Sequence, residues 1–236
     1  MIPSKPAILL LHGLTGNPRV FGELPEYLSR LGYFCSTPTL PGHGTVLADM
    51  YGSTWDDWFT KAQCAAAETL ERSKTLVVIG LSMGATLALT LATPLREQIR
   101  GLVLINPLIC PTPDLKQQLR QAAAMGETLL SPFGGDIKDP QVSAADYGAV
   151  PIESFLSALD AVDEVQPSLS AIEMPTLILA SRNDDVLDAT AAADHLCATM
   201  PDTSTVLLNK GGHLATIDYD KNEVASAISA FIHGLI

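Results

Sequence analysis

Apolar runs of about five residues punctuate this chain, and between them apolar residues return every three or four positions. The runs at Ala7–Leu11, 75–79, 101–106 and 176–180 carry almost no polar side chain. Such runs predict parallel strands buried on both faces. Shorter strands are expected at 33–37 and 205–208. Asn17 followed by Pro18 is a helix-start signal, and the apolar stripe Val20, Phe21, Leu24, Leu28 and Leu31 predicts one helix that stops at Gly32. Ser53 or Thr54 caps a second helix running to about Arg72, with Asp56 and Asp57 in its first turn. Further helices are expected at Met83–Ala92, 189–200 and 220–231. Strand and helix in alternation imply right-handed crossovers, hence an α/β fold with a mostly parallel sheet and helices on both faces.

From Leu108 to Gln166 that rhythm stops. Helical patches at 115–130 and Ile152–Val165 are separated by the turn-forming Ser131-Pro132-Phe133-Gly134-Gly135. The strand pattern then resumes after Pro175. Residues 108–166 therefore read as an insertion before the penultimate strand of one continuous domain, formed by 1–107 and 167–236.

Charge narrows the partners. Lys and Arg number 14 against 26 Asp and Glu, a net charge of -12 that repels phosphate backbones and anionic membrane surfaces. No nucleic-acid partner and no stable membrane insertion are expected. With 47% hydrophobic and 17% charged residues, the chain can bury a large single core. Cys35, Cys64, Cys110 and Cys197 form no Cys-x-x-Cys pair, so reduced thiols are expected and no metal site. The apolar start at Ala7–Leu11 is too short for a signal h-region and no run is long enough to span a bilayer, so a cytoplasmic monomer or homodimer is expected.

The chemistry centres on Gly80-Leu81-Ser82-Met83-Gly84, where a buried strand meets a helix of small residues. A serine at such a turn is forced into a strained conformation that lifts its hydroxyl clear of the sheet, and small residues two before and two after let strand and helix approach. The Met83 amide then lies at a helix N-terminus, where an anion is favoured. Ser82 is the candidate nucleophile and Met83 one oxyanion donor. The loop after the first strand, His12-Gly13-Leu14-Thr15-Gly16, faces this turn across the sheet, and Leu14 is the second candidate donor.

A serine hydroxyl needs a base, and the base needs an acid to orient it. His213, in the glycine loop Asn209-Lys210-Gly211-Gly212-His213 after the last strand, can turn over the strand ends where Ser82 emerges. His195 and His233 fall on helices, while His12 and His43 sit on loops at the same edge and are expected to stiffen them. For the acid, Arg182-Asn183-Asp184-Asp185-Val186-Leu187-Asp188 offers three carboxylates. Asp184 clears the strand end first, Asp185 is its rival, and Asp188 suits a helix cap. Asp114 is a topological alternative inside the insertion.

These pieces, with Pro41-Gly42-His43-Gly44, Asp57-Trp58, Met174-Pro175-Thr176 and Gly212-His213, resemble the α/β-hydrolase superfamily and within it the bacterial carboxylesterase and monoacylglycerol lipase branch. The resemblance implies an α/β-hydrolase fold in which Ser82, Asp184 and His213 form a triad, Leu14 and Met83 an oxyanion hole, and 108–166 a small helical cap. It implies no cofactor. The N-terminal antiparallel hairpin of larger relatives is expected to be absent.

The expected activity is hydrolysis of a small-molecule carboxylic ester through an acyl-enzyme. Thioester, amide or carbon-carbon hydrolysis and perhydrolysis would use the same triad, and a non-catalytic receptor would have lost a triad member, which this chain has not. Leu14, Met83, Leu108, Ile109, Phe133 and Tyr147 are the expected substrate contacts. An insertion of this length, entered at Pro107 and left at Pro167, predicts a bounded pocket that prefers short to medium acyl chains, monoacylglycerol-like esters among them.

Overall fold

The computed structural model describes residues 5–110, 112–144 and 146–235. Residues 1–4 and 236 of the expected core, and 111 and 145 of the expected insertion, lie outside the described residues. In chain order the elements are β1 (Ala7–Leu11), α1 (Leu24–Arg30), β2 (Cys35–Ser36), α2 (Trp55–Leu70), β3 (Leu76–Leu81), α3 (Met83–Ala92), β4 (Ile99–Ile105), α4 (Pro113–Ala124), β5 (Leu129–Leu130), β6 (Val150–Pro151), α5 (Ile152–Val165), β7 (Thr176–Ser181), α6 (Ala189–Thr199), β8 (Thr203–Leu208) and α7 (Lys221–Gly234). Six strands form one sheet in the order β2-β1-β3-β4-β7-β8, every neighbouring pair parallel.

Alternation along the strands divides the core. Leu9, Leu11 and Val78 face a layer built from α2, α3, α5 and α6, whereas Ile8, Leu10, Val77 and Ile79 face α1 and α7. Each side chain wholly buried in this way contributes about 1.5–3 kcal/mol. All residues of β1 and β3 are buried, which is why both read as unbroken apolar runs. The strand order reverses between β1 and β3, and at such a switch point the loops leaving the carboxyl ends diverge and open a crevice.

Three local expectations are corrected. The first helix is split: a 3-10 turn at Pro18–Phe21 ends at Gly22, at φ 52°, and α1 begins only at Leu24. A Cβ on Gly22 would lie 2.8 Å from Ile217 Cγ2, so docking of the 214–217 segment breaks the helix there. The helical patch expected over 115–130 ends at Ala124, because Leu129 and Leu130 pair antiparallel with Pro151 and Val150. The second strand shrinks to Cys35 and Ser36, which pair in register with Ile8 and Leu9 of β1. The helix expected after Ser53 or Thr54 begins at Trp55, and the Asp57 carboxylate accepts the Thr54 amide at 2.9 Å.

Residues 108–166 hold α4, the β5–β6 pair and α5. Leu119, Val150, Phe155 and Val162 of this segment belong to the same buried cluster as α2 and α3, while Ile137 packs against the other cluster. Lys116 on α4 pairs with Asp160 and Asp163 on α5, tying the two helices together.

Candidate active site

Ser82 joins β3 to α3 at φ 56° and ψ -120°. A Cβ on Gly80 would stand 2.2 Å from the Gly84 carbonyl oxygen, and one on Gly84 would stand 1.9 Å from that of Leu11. Both glycines are therefore required for strand, helix and the end of β1 to meet. Hydrogen bonds hold the turn: the Ser82 amide donates to the Ile105 carbonyl at 2.9 Å, and the Ser82 carbonyl accepts from Ala85 and Leu108. Among the described residues other than glycine, only Thr15, Ser82 and Asn106 have positive φ, and the first two line the crevice. Backbone held in that region costs on the order of 1–3 kcal/mol per residue and persists where the surroundings enforce it.

The loop after β1 packs against the serine. A Cβ on Gly13 would lie 3.0 Å from Ser82 Cβ. The Gly13 carbonyl accepts from the Gly16 amide and from His12 Nδ1, while His12 Nε2 accepts from the Leu40 amide at 3.1 Å. His12 is thus a strut between two loops. Burial and the neighbouring His43, against the opposing bond to Gly13, bring its pKa down to about 3. His43 donates to the Pro41 carbonyl at 2.8 Å and stands edge-on to Trp58. Burial, against that bond, lowers its pKa to about 4. Both rings stay neutral at ordinary pH and brace the site.

On the other side of the crevice, His213 Nδ1 lies 2.7 Å from Asp184 Oδ2. Asp184 Oδ1 accepts from the amides of Val186 and Leu187 at 2.8 and 2.9 Å, so the carboxylate is fixed at both oxygens. Its side chain is 1% exposed, whereas that of Asp185 is 77% exposed and pairs with Lys138. Asp188 caps α6 by accepting from the Ala191 amide at 2.9 Å. Asp114 lies in the first turn of α4. His195 bonds Gln166 at 2.7 Å, and His233 closes α7.

One residue of this side was not singled out from the sequence. Asn106, fully buried at the end of β4, accepts from the Ser181 amide at 2.8 Å and donates to the His213 carbonyl at 2.8 Å. It fastens the ends of β4 and β7 to the histidine loop. Its only sequence signal is a polar residue closing an apolar strand.

A cavity of about 100 Å³ lies between these halves and brings Leu14, Ser82, Leu108, Phe133 and His213 together. Met83 is wholly buried beneath it, with its amide at the start of α3. The amides of Leu14 and Met83 donate to no acceptor among the described residues. Phe155 meets Phe133 edge to face at 5.0 Å and helps wall the cavity. Asp146 also lines it; burial raises its pKa against bonds from the Gly148 and Gly135 amides. Three expected contacts fall outside the lining: Met83, beneath the cavity, Ile109 and Tyr147. Ile109 is wholly buried in the apolar cluster, and Tyr147 uses its hydroxyl to reach the Gly42 carbonyl and the Thr45 amide, both at 3.0 Å.

Known proteins place this geometry. The chain is 33% identical to a thermostable monoacylglycerol lipase of Bacillus sp. (strain H-257) over 218 residues, covering 91% of this chain and 85% of that protein. It is 25% identical to a carboxylesterase of Bacillus subtilis (strain 168), covering 97% and 93%. A solved structure from work on the metagenome-derived lipolytic enzymes LipS and LipT superposes with a TM-score of 0.89 at 30% identity, covering 99% of this chain and 95% of that one. Residues 8–227 match the family model described as the alpha/beta hydrolase family. With six parallel strands, a strained serine at the turn after β3 and a match over most of its length, this chain belongs to the alpha/beta hydrolase family and is a hydrolase.

Proposed function

We propose that the protein is a serine carboxylic ester hydrolase that uses Ser82, His213 and Asp184 as its triad and acts on short- to medium-chain acyl esters, monoacylglycerol-like ones among them. The observation that carries this reading is the 2.7 Å contact between His213 Nδ1 and Asp184 Oδ2, made by a histidine that shares one cavity with the strained Ser82. The relatives named as a monoacylglycerol lipase and a carboxylesterase point the same way.

In this mechanism Asp184 holds the imidazole with its proton on Nδ1, leaving Nε2 free to act as base. Ser82 Oγ attacks the acyl carbon as its proton passes to Nε2. The oxyanion that forms is received by the amides of Leu14 and Met83, and loss of one such donor costs about 10²–10³ in turnover. The protonated imidazole then gives its proton to the departing alcohol. Water, activated by the same ring, releases the acid from Ser82.

Residues 108–166 serve as the cap. Leu108 and Phe133 offer apolar contact to an acyl chain, each buried methylene of which contributes about 0.8 kcal/mol. The Thr112 hydroxyl, buried without a partner among the described residues, and Thr15 suit a hydroxylated alcohol group. The cavity is small beside the roughly 300–1,000 Å³ that holds drug-sized ligands, which favours bounded chains. The test is kcat/KM across p-nitrophenyl esters of increasing acyl length. A maximum at short to medium chains is expected, and a steady rise through long chains or activation at an oil–water interface contradicts the chain-length reading.

A further inference from the structure

Four consecutive backbone amides lead into His213, and each meets a carboxylate. Lys210 and Gly211 donate to Asp220 at 2.9 and 2.8 Å, Gly212 to Asp218 at 2.8 Å, and His213 to Asp136 Oδ2 at 2.9 Å. Asp218 and Asp220 lie just beyond the loop in sequence. Asp136 comes from within 108–166, 77 residues before the His213 amide that donates to it.

The same Asp136 Oδ2 also accepts from the amide of Asp185 at 2.9 Å. A single oxygen therefore holds the backbone of His213 and of the residue after Asp184. Its other oxygen takes Lys138 Nζ at 2.7 Å, and Lys138 pairs in turn with Asp185. The Asp136 carbonyl accepts from the Leu214 amide at 3.2 Å, while Asp218 accepts from the Lys138 and Asp139 amides. Residues 136–139 are thus stitched along the histidine loop. The Asp136 side chain is 9% exposed. Burial alone would raise its pKa, but the Asp185 amide, Lys138 and the His213 amide outweigh burial and keep it ionised. A Cβ on Gly212 would lie 2.5 Å from Asp136 Oδ2, so the glycine admits the carboxylate.

We infer that Asp136 is a positioning residue, a carboxylate supplied by the inserted segment that sets the spacing between the His213 loop and the Asp184 loop. The inference rests on the triad reading above. Asp136 does not line the cavity, so its influence falls on turnover and not on substrate binding. Charge-assisted acceptors of this kind make bonds roughly twice as strong as neutral ones. Removal frees two amides at once, and a shift of about 1 Å at the reacting groups can cost 10²-fold in rate.

The experiment compares Asp136→Ala and Asp136→Asn in the full chain, measuring kcat and KM on a soluble p-nitrophenyl ester, the rate of inactivation by a fluorophosphonate, and Tm. Asp136→Ala is expected to lower kcat at least tenfold with KM within threefold, and to slow inactivation in parallel. Asp136→Asn keeps an oxygen toward the two amides and is expected to recover kcat to within threefold of wild type. A folded Asp136→Ala with kcat within twofold of wild type overturns the inference, as does an effect on KM alone or an equal loss in the Asn variant. Should Asp136→Ala fail to fold, Gly212→Ala carries the test: its methyl displaces the carboxylate while keeping the charge, and the same fall in kcat is expected, wild-type kcat being the contrary result. Wild-type protein that takes up no fluorophosphonate at Ser82 refutes the triad reading itself, whatever the variants do.

Discussion

The two halves of the site are held by different forces. On the serine side the constraint is steric: Gly80, Gly84 and Gly13 let backbones meet where any Cβ would press on its neighbours, and the hydrogen bonds at the turn join backbone groups. On the histidine side the constraint is polar, with Asp136, Asp218, Asp220 and Asn106 receiving or supplying the hydrogen bonds of the loop that carries His213. A steric constraint tolerates no added atom but is indifferent to charge. A polar one tolerates small changes of volume and fails when an acceptor is lost.

Substitutions that separate the two forces should have effects of different size and kind. Asp184→Asn is expected to have the largest. By disturbing the tautomer of His213 it should lower kcat by about 10⁴ while the fold is retained, the loss documented for such a change in a serine triad. Asp185→Asn, at an exposed residue, should stay within about tenfold. Steady-state kinetics on one ester checks both, and a severe Asp185→Asn beside a mild Asp184→Asn would exchange their roles.

Gly84→Ala comes next and acts on stability. Its Cβ would stand 1.9 Å from the Leu11 carbonyl, which is backbone and cannot turn aside. Overpacking of this kind costs about 3 kcal/mol or more, a fall in Tm near 10 °C for a chain of this length. Thermal unfolding measures it, and an unchanged Tm would show that strand and helix can separate at the elbow.

A smaller effect is expected from the neutral histidines that brace the site. His43 titrates at 6.5 when unfolded and at about 4 when folded, so the unfolded chain binds the proton first as pH falls. Stability from this group is complete above pH 6.5 and is lost progressively toward pH 4, on the order of 3 kcal/mol at 1.36 kcal/mol per unit. His12, lowered to about 3, adds in the same direction. Urea unfolding of wild type and His43→Asn at several pH values isolates this contribution: the difference between them should change across that window, and a constant difference would contradict it.

The contrast between steric and polar halves also decides what could be read without coordinates. Buried strands show as apolar runs, and a glycine-flanked serine between strand and helix is a local pattern, so the elbow and the parallel sheet were legible. Asp184 and His213 could be named as candidates because each follows a strand end. Asp136 and Asn106 could not: their partners lie 77 and 107 residues away, and a lone carboxylate or amide leaves no periodic trace. The split at Gly22 depends on contact with Ile217, and the β5–β6 pair on a partner twenty residues distant, so neither appears in helical periodicity. Tyr147 had the character of a pocket residue, yet its hydroxyl is spent on Gly42 and Thr45.

Active-site titration with a fluorophosphonate, followed by peptide mapping, tests the central claim most directly. The account predicts one equivalent bound per chain, on Ser82, at a rate that falls by orders of magnitude in His213→Ala and to nothing in Ser82→Ala. Labelling at another residue, or labelling of Ser82 at an undiminished rate without His213, would contradict it.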